Sequence, residues 1–187
     1  MTKVLGISGS LRRGSYNSAL LRAATGLMPE GATLEVASIR GIPLYDGDVE
    51  AQGIPPSVNQ LKEAVVAADG VLLVTPEYNN SIPGVFKNTI DWLSRPPADA
   101  RRVFGGRRLA LIGASPGGFG TVMSQGAWLP VLRTLGVQLW TGGRLMVARA
   151  NNVFDEGGTL KDAATEEALK QFLAGYVAWL RRAPQAA

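Results

Sequence analysis

Five short apolar runs alternate along this chain with stretches of helical spacing, and few architectures accept such an alternation. The runs are residues 4–7, 34–39, 71–74, 109–112 and a last one around 137–139. The first, third and fourth hold no polar residue, as strands covered on both faces do. The second places Glu35 and Ser38 among Leu34, Val36 and Ile39, and is expected toward an edge of the sheet. Between the runs the spacing predicts helices over residues 17–27, 57–68, 83–93, 121–135 and 164–182. Pro55-Pro56 lead into the second with Ser57 as a candidate cap, and Pro83 opens the third, where a missing N–H costs little. Gly126 and Pro130 blur the bounds of the fourth. In the fifth, Ala168, Leu169, Phe172, Leu173, Tyr176 and Leu180 are expected to form an inward stripe, with Glu166 and Glu167 early and Arg181 and Arg182 late, as the helix dipole favours. Connections this short predict one domain over residues 1–187, a five-stranded parallel sheet with helices on both faces. The tail 182–187 reads as frayed.

The chain contains no Cys and no His, which excludes disulfide scaffolds, thiol nucleophiles, His-based triads and most zinc sites. Chemistry must come from carboxylates, hydroxyls, Arg and Lys, backbone amides or a borrowed cofactor, and no metal is expected. The net charge is +4, and 14 of the 19 basic residues are Arg, which suits phosphate and carboxylate ligands. Those residues are scattered apart from Arg101, Arg102, Arg107 and Arg108, a stretch that reads better as a solvated loop than as a binding patch. Nucleic acid is therefore not an expected partner. No apolar run approaches the ~18 residues of a membrane span, and the run after Met1 is too short for a signal-peptide core. The expectation is a soluble, cytoplasmic protein that does not engage a membrane.

In a parallel sheet of this kind ligands sit beyond the C-terminal strand ends, so the loops after the first, third and fourth strands matter most. The first loop is Ser8-Gly9-Ser10-Leu11-Arg12-Arg13-Gly14-Ser15-Tyr16-Asn17-Ser18. It enters a helix N-terminus surrounded by hydroxyls, an amide and two guanidinium groups, a donor-rich cup for a phosphate. Gly9 and Gly14 have Walker-A spacing, but no Lys follows Gly14, which argues against an NTPase. The dinucleotide Gly-x-Gly-x-x-Gly fingerprint is missing from this turn, and Ser38-Ile39-Arg40 stands where an acid would hold a ribose. An NADP-binding Rossmann dehydrogenase survives only through Arg40. The cup suits a terminal monophosphate such as that of FMN. The second loop, Thr75-Pro76-Glu77-Tyr78-Asn79-Asn80-Ser81-Ile82-Pro83-Gly84, is stiffened by two prolines and offers an aromatic border for a flat ring, with Asn80 or Ser81 as a candidate cap. Glu77 lacks a partner carboxylate or His for acid–base work. The third, Gly113-Ala114-Ser115-Pro116-Gly117-Gly118-Phe119-Gly120, lets backbone amides approach a ligand.

These motifs, Gly-x-Ser-Leu-Arg-x-x-Ser-x-Asn, Pro-Glu-Tyr-Asn-x-Ser-x-Pro-Gly, Lys87-Asn88 with Asp91-Trp92-Leu93-Ser94-Arg95-Pro96, and the glycine-rich third loop, resemble the NAD(P)H-dependent FMN reductases. The likeness extends to residues 152–158. It implies a flavodoxin-like three-layer sandwich with noncovalent FMN, NADPH or NADH as co-substrate, and a small-molecule electron acceptor such as a quinone, azo compound, free flavin or chromate. By that resemblance Ser10, Arg12, Ser15, Asn17 and Ser18 would hold the FMN phosphate and ribityl chain. Pro76, Glu77, Tyr78 and Asn79 would border the isoalloxazine, largely through backbone amides. Ser115, Gly117 and Gly118 would line its other polar edge, and no side chain would be catalytic in its own right.

A non-enzymatic flavodoxin-type carrier is the rival on the same fold, but such carriers are acidic and this chain is basic. NADPH is expected over NADH, with Arg40 or the 101–108 stretch meeting the 2′-phosphate. On the third helix Val85, Phe86, Ile90, Trp92 and Leu93 span an arc of about 160°, wider than the ~100° a helix needs to lie on a sheet. The surplus around Trp92, extended by Trp128, is expected to form a homodimer interface, or part of a homotetramer. Met123 stands where many members of that family have an interface Arg, which puts their tetramer contacts in doubt.

Overall fold

The computed structural model describes residues 1–182, so of the tail expected to fray only Arg182 falls within the described residues. The chain runs β1 (Thr2–Ser8), α1 (Tyr16–Gly26), β2 (Ala32–Ala37), α2 (Gly47–Gln52), α3 (Pro56–Ala67), β3 (Gly70–Val74) and α4 (Gly84–Leu93). It continues through α5 (Pro97–Phe104), β4 (Arg108–Ala114), α6 (Val122–Thr134), β5 (Gln138–Leu139), β6 (Leu145–Val147), α7 (Ala150–Val153) and α8 (Ala163–Leu180).

Every ladder is parallel, in the order β2-β1-β3-β4, with β5 and then β6 along the far edge of β4. This is the flavodoxin-like order, with its switch point between β1 and β3. The central runs of β1, β3 and β4 are buried on both faces, which is why residues 4–7, 71–74 and 109–112 include no polar side chain. β2 pairs with β1 alone and exposes Glu35 and Val36, the edge position that its alternation predicts. Strand residues part between two apolar layers. Val4, Leu72, Val74 and Ile112 meet α1 and α8, while Leu5, Ile7, Leu73 and Leu111 meet α3, α4, α5 and α6.

The structure corrects the sequence reading at four places. The fifth strand around residues 137–139 is only half of that sheet position. β5 pairs with Arg108 and Leu109, residues 140–144 break away, and β6 resumes on Ile112, Gly113 and Ala114, giving six strand segments. Second, Ser57 does not cap α3. Pro55 occupies the cap position and the Ser57 hydroxyl donates to the Gly41 carbonyl at 3.1 Å.

Third, the basic stretch 101–108 is not a solvated loop. Arg101 and Arg102 lie on α5, which Pro96-Pro97 start rather than break. Arg107 donates to the Ala68 carbonyl at the end of α3, and Arg108 to the carbonyls of Trp179, Leu180 and Arg182 at the end of α8. Both close helix C-termini.

Fourth, the exposed patch expected at Trp92 does not exist, because Trp92 and Trp128 are both completely buried. The connection 38–55, which includes α2, folds over the outer margin of α4. The Trp92 indole N–H donates to the Pro43 carbonyl at 2.9 Å, and the Tyr45 ring meets the indole edge-on at 5.0 Å. Asn88 braces the same connection, donating to the Pro43 carbonyl and accepting from the Tyr45 amide, both at 2.8 Å.

Candidate functional site

The loops after β1, β3 and β4 share the C-terminal edge of the sheet. The first leaves β1 at Gly9, whose amide donates to the Val74 carbonyl. A Cβ there would stand 2.1 Å from the Phe86 ring, so only glycine lets the loop pass. Ser15 caps α1, accepting from the Ser18 amide at 3.3 Å, and the Ser8 and Ser18 hydroxyls lie 3.1 Å apart. Ser10 accepts from the Arg12 amide at 3.4 Å. The Arg12 guanidinium folds back over the Tyr16 ring and donates to the Gly14 carbonyl at 2.6 Å, leaving further N–H groups to spare. Arg40 donates to the Leu11 carbonyl at 2.8 Å, so it braces the first loop. Arg102 pairs with Asp99 and Glu63, and Arg107 and Arg108 hold helix ends, so of the groups expected to meet a 2′-phosphate only exposed Arg101 makes no side-chain bond among the described residues.

One expected ligand contact is a clamp instead. Asn17 is buried; its Nδ2 donates to the Ala114 carbonyl and its Oδ1 accepts from the Ala114 amide, each at 2.8 Å. The amide thus joins the first loop to the third and is not turned toward a ligand.

In the second loop Tyr78 and Ser81 exchange backbone hydrogen bonds around Asn79 and Asn80, whose φ values are 50° and 59°. Two left-handed residues in succession make a type I′ turn, a geometry Asn tolerates and β-branched residues do not. Neither Asn80 nor Ser81 caps α4, which Pro83 opens with no side-chain cap. Tyr78 is half exposed. The Glu77 side chain does not line an open slot either. It reaches across to α6, accepting from the amides of Met123 and Ser124 at 2.9 and 3.0 Å.

The third loop is pinned from its far side. Ser115 donates its amide to Val147, its hydroxyl accepts from the Gly117 amide, and the Gly117 carbonyl accepts from the Arg149 amide. Gly117 and Gly118 stay exposed. Gly120, at φ 64°, lies so close to Met146 that a Cβ would stand 2.8 Å from its carbonyl. The segment after α7 flanks the first loop, with Phe154 stacked on Tyr16 at 5.9 Å. Between them Arg12, Arg13, Arg22 and residues 155–158 wall a cavity of about 270 Å³. A second cavity of about 670 Å³, lined by Asp69, Arg107, Arg108 and Gln138, lies at the opposite end of the sheet, away from all three loops.

The Thr75 hydroxyl donates to the Pro76 carbonyl at 2.8 Å and lies 3.0 Å from the Ser124 hydroxyl, and the Trp128 indole N–H donates to it at 3.1 Å. This buried knot, like the Glu77 bridge, joins residues more than forty positions apart. The only hint of either in the sequence is that α6 opens without an acid in its first turn, and its own cap residue, Thr121, makes no side-chain cap.

The donor set fits FMN. Helix N-termini carry partial positive charge that an anion satisfies. Those of α2, α6 and α8 are filled by Asp46, Glu77 and Asp162, while α3 and α4 open on prolines with neither an acid nor a side-chain cap. α1 has no acid in its first turn and is ringed by the hydroxyls of Ser10, Ser15 and Ser18 and the Arg12 guanidinium, which is what a monoester phosphate needs. Beside it the backbone-rich second and third loops offer amides to the edge of a planar ring, with no carboxylate left over for acid–base work.

Comparison with known proteins agrees. The family model described as NADPH-dependent FMN reductase matches residues 2–152. An NAD(P)H-dependent FMN reductase of Pseudomonas aeruginosa is 48% identical over 180 residues, covering 96% of each chain. A 2-hydroxy-1,4-benzoquinone reductase of a Burkholderia species is 36% identical over 179 residues, again 96% of each. Among solved structures, FerB, a flavoenzyme NAD(P)H:(acceptor) oxidoreductase from Paracoccus denitrificans, superposes with a TM-score of 0.85 at 30% identity, over 96% of this chain and 97% of its own. Flavodoxin-like in fold, and with an FMN-fitting cup at the switch point of its sheet, this chain belongs to the NADPH-dependent FMN reductase family of FMN-dependent oxidoreductases.

Proposed function

We propose that residues 1–187 form a single FMN-binding domain that reduces quinones at the expense of NAD(P)H in the cytoplasm, where that co-substrate is held. Azo compounds, free flavin and chromate are further acceptors of the same reading. The observation that carries it is the α1 N-terminus, which has no acid in its first turn and is ringed by the hydroxyls of Ser10, Ser15 and Ser18 and the Arg12 guanidinium. Bound there, FMN supplies hydride acceptance from NAD(P)H and two-electron donation to the acceptor, chemistry that no side chain of this chain offers.

The protein's part is binding and orientation. Ser10, Ser15, Ser18 and Arg12 hold the phosphate and ribityl chain. Residues 76–79 border the ring, with the Glu77 and Asn79 amides open to it, since Pro76 has no N–H and that of Tyr78 is given to Ser81, and Ser115, Gly117 and Gly118 form the opposite polar edge. Half-exposed Tyr78 stands beside the open face where donor and acceptor bind in turn. The protein is expected to purify yellow and to release FMN on heating. Its oxidation of NADPH and NADH is then measured against a panel of quinones, flavins and metal oxyanions. A colourless protein that takes up no FMN would end this reading.

We also infer a homodimer, through α6 rather than α4. Phe119 is 84% exposed, and Val122, Met123 and Leu129 continue it as an apolar ridge along the outer face of α6. Grooves of about 390 Å³ toward α4 and about 280 Å³ toward Trp140 and Arg144 flank that ridge. A ridge between grooves is self-complementary under two-fold symmetry. Light scattering at micromolar concentration is expected to give twice the 19.7 kDa chain mass, and Leu129→Asp to halve it.

A further inference from the structure

We propose that Glu77 is a positioning residue for the flavin slot. By bridging the second loop to the first turn of α6, its carboxylate sets where the amides of that loop stand relative to the third. The proposal rests on the FMN placement above and deepens it.

Residues 77–82 are stiff within themselves, through the type I′ turn closed by Tyr78 and Ser81. What they lack, apart from the packing of Ile82, is polar attachment. Among the described residues, the only hydrogen bonds from residues 77–82 to anything outside that segment are those Glu77 accepts from Met123 and Ser124. The knot of Thr75, Ser124 and Trp128 fixes the point where the loop leaves β3, and α4 fixes the point where it ends. Ile82 packs on the apolar layer at the far end of the turn, so Glu77 is the polar tie that holds its near end.

The bridge is strong for its size. Both bonds converge on one oxygen, Oε2, each is charge-assisted, and the carboxylate sits at the positive end of a thirteen-residue helix. α6 also begins where the third loop ends, so one side chain couples both walls of the slot. The same geometry removes Glu77 from acid–base duty, because its carboxylate is already committed.

Since a single oxygen accepts both bonds, Glu77→Gln can keep them through its carbonyl oxygen, whereas Glu77→Ala loses both. The apo forms of the wild type and both variants are titrated with FMN, reading Kd and the visible circular dichroism of the bound flavin, with thermal melts alongside. Glu77→Ala is expected to raise Kd by about tenfold or more, the worth of charge-assisted bonds, and to alter the dichroism. Glu77→Gln is expected to stay within about threefold of the wild type with its spectrum retained. An alanine variant that binds and rotates light as the wild type does would overturn the proposal, as would a glutamine variant impaired to the same degree.

Should Glu77→Ala fail to fold, Met123→Pro removes one receiving N–H in the first turn of α6, where proline is tolerated, and leaves Glu77 in place. A Kd rise of about threefold with an altered spectrum supports the bridge, and unchanged binding overturns it. Failure of the wild type itself to bind FMN would overturn the cofactor reading, and is seen before any variant is made.

Discussion

Among single residues, Asn17 shows how a position can belong to a binding motif without binding. Its amide satisfies both polar groups of Ala114 inside the protein, so Asn17→Ala strands a buried N–H and a buried C=O together. Urea denaturation is expected to show a loss of about 3 kcal/mol, larger than the accompanying loss in FMN affinity. Arg12→Ala is expected to do the reverse, weakening FMN binding by about 1.5–3 kcal/mol with little change in stability. Arg13, which has no hydrogen bond or ion pair among the described residues, should matter less. Titrating both apo variants ranks them, and equal losses would mean the wrong guanidinium has been assigned. Sequence spacing carried the composition of this cup, because Ser, Arg and Asn cluster within nine positions. It did not carry which of them face inward, since Asn17 and Glu77 are claimed by partners 97 and 46 or more positions away.

At the level of elements, the strands and long helices were legible because apolar periodicity reports burial directly. What escaped were the short pieces, α2, α5 and α7, and the resumption of the last strand as β6. α5 is the instructive miss. Its helix is short, burying only Val103 and Phe104, and its first turn is held by an ion network. Lys62, completely buried on α3, donates to the Arg95 carbonyl and to Asp99 at 2.9 Å, while Arg102 donates to Asp99 at 2.6 Å.

Arg102, and then Lys62, hold the Asp99 carboxyl down at about 2. A carboxyl depressed in the folded state stabilises it above the ordinary Asp range, about 3.9, and that contribution fades as pH falls toward 2. Because Asp99 remains a quarter exposed, solvent screening limits the effect to about 1 kcal/mol. Melting temperature followed from pH 6 to about 2 should fall more steeply in the wild type than in Asp99→Asn. The Trp92 patch failed for a different reason: periodicity cannot see that a connection 49 positions earlier folds back to cover a helix. Trp92→Phe, losing the bond to Pro43 and part of the packing, is expected to cost about 1–3 kcal/mol by denaturation and to leave FMN binding unchanged.

For the molecule as a whole, the loops meet on one edge of the sheet, and an exposed ring there serves one partner at a time. Steady-state kinetics are therefore expected to be ping-pong, with parallel double-reciprocal plots for NAD(P)H and acceptor; intersecting plots would place the two on separate surfaces. The order of the sheet also bears on how the chain is made. α8 supplies Leu169, Phe172, Leu173, Tyr176 and Leu180 to the layer over α1, and the Tyr176 hydroxyl bonds to the carbonyls of Val71 and Arg108 at 3.0 and 3.1 Å. During synthesis every strand and the whole cofactor edge leave the ribosome before that helix does. Until it docks, the part of that sheet face that α1 leaves uncovered stays bare, so a chain halted before residue 163 would be sticky rather than merely incomplete.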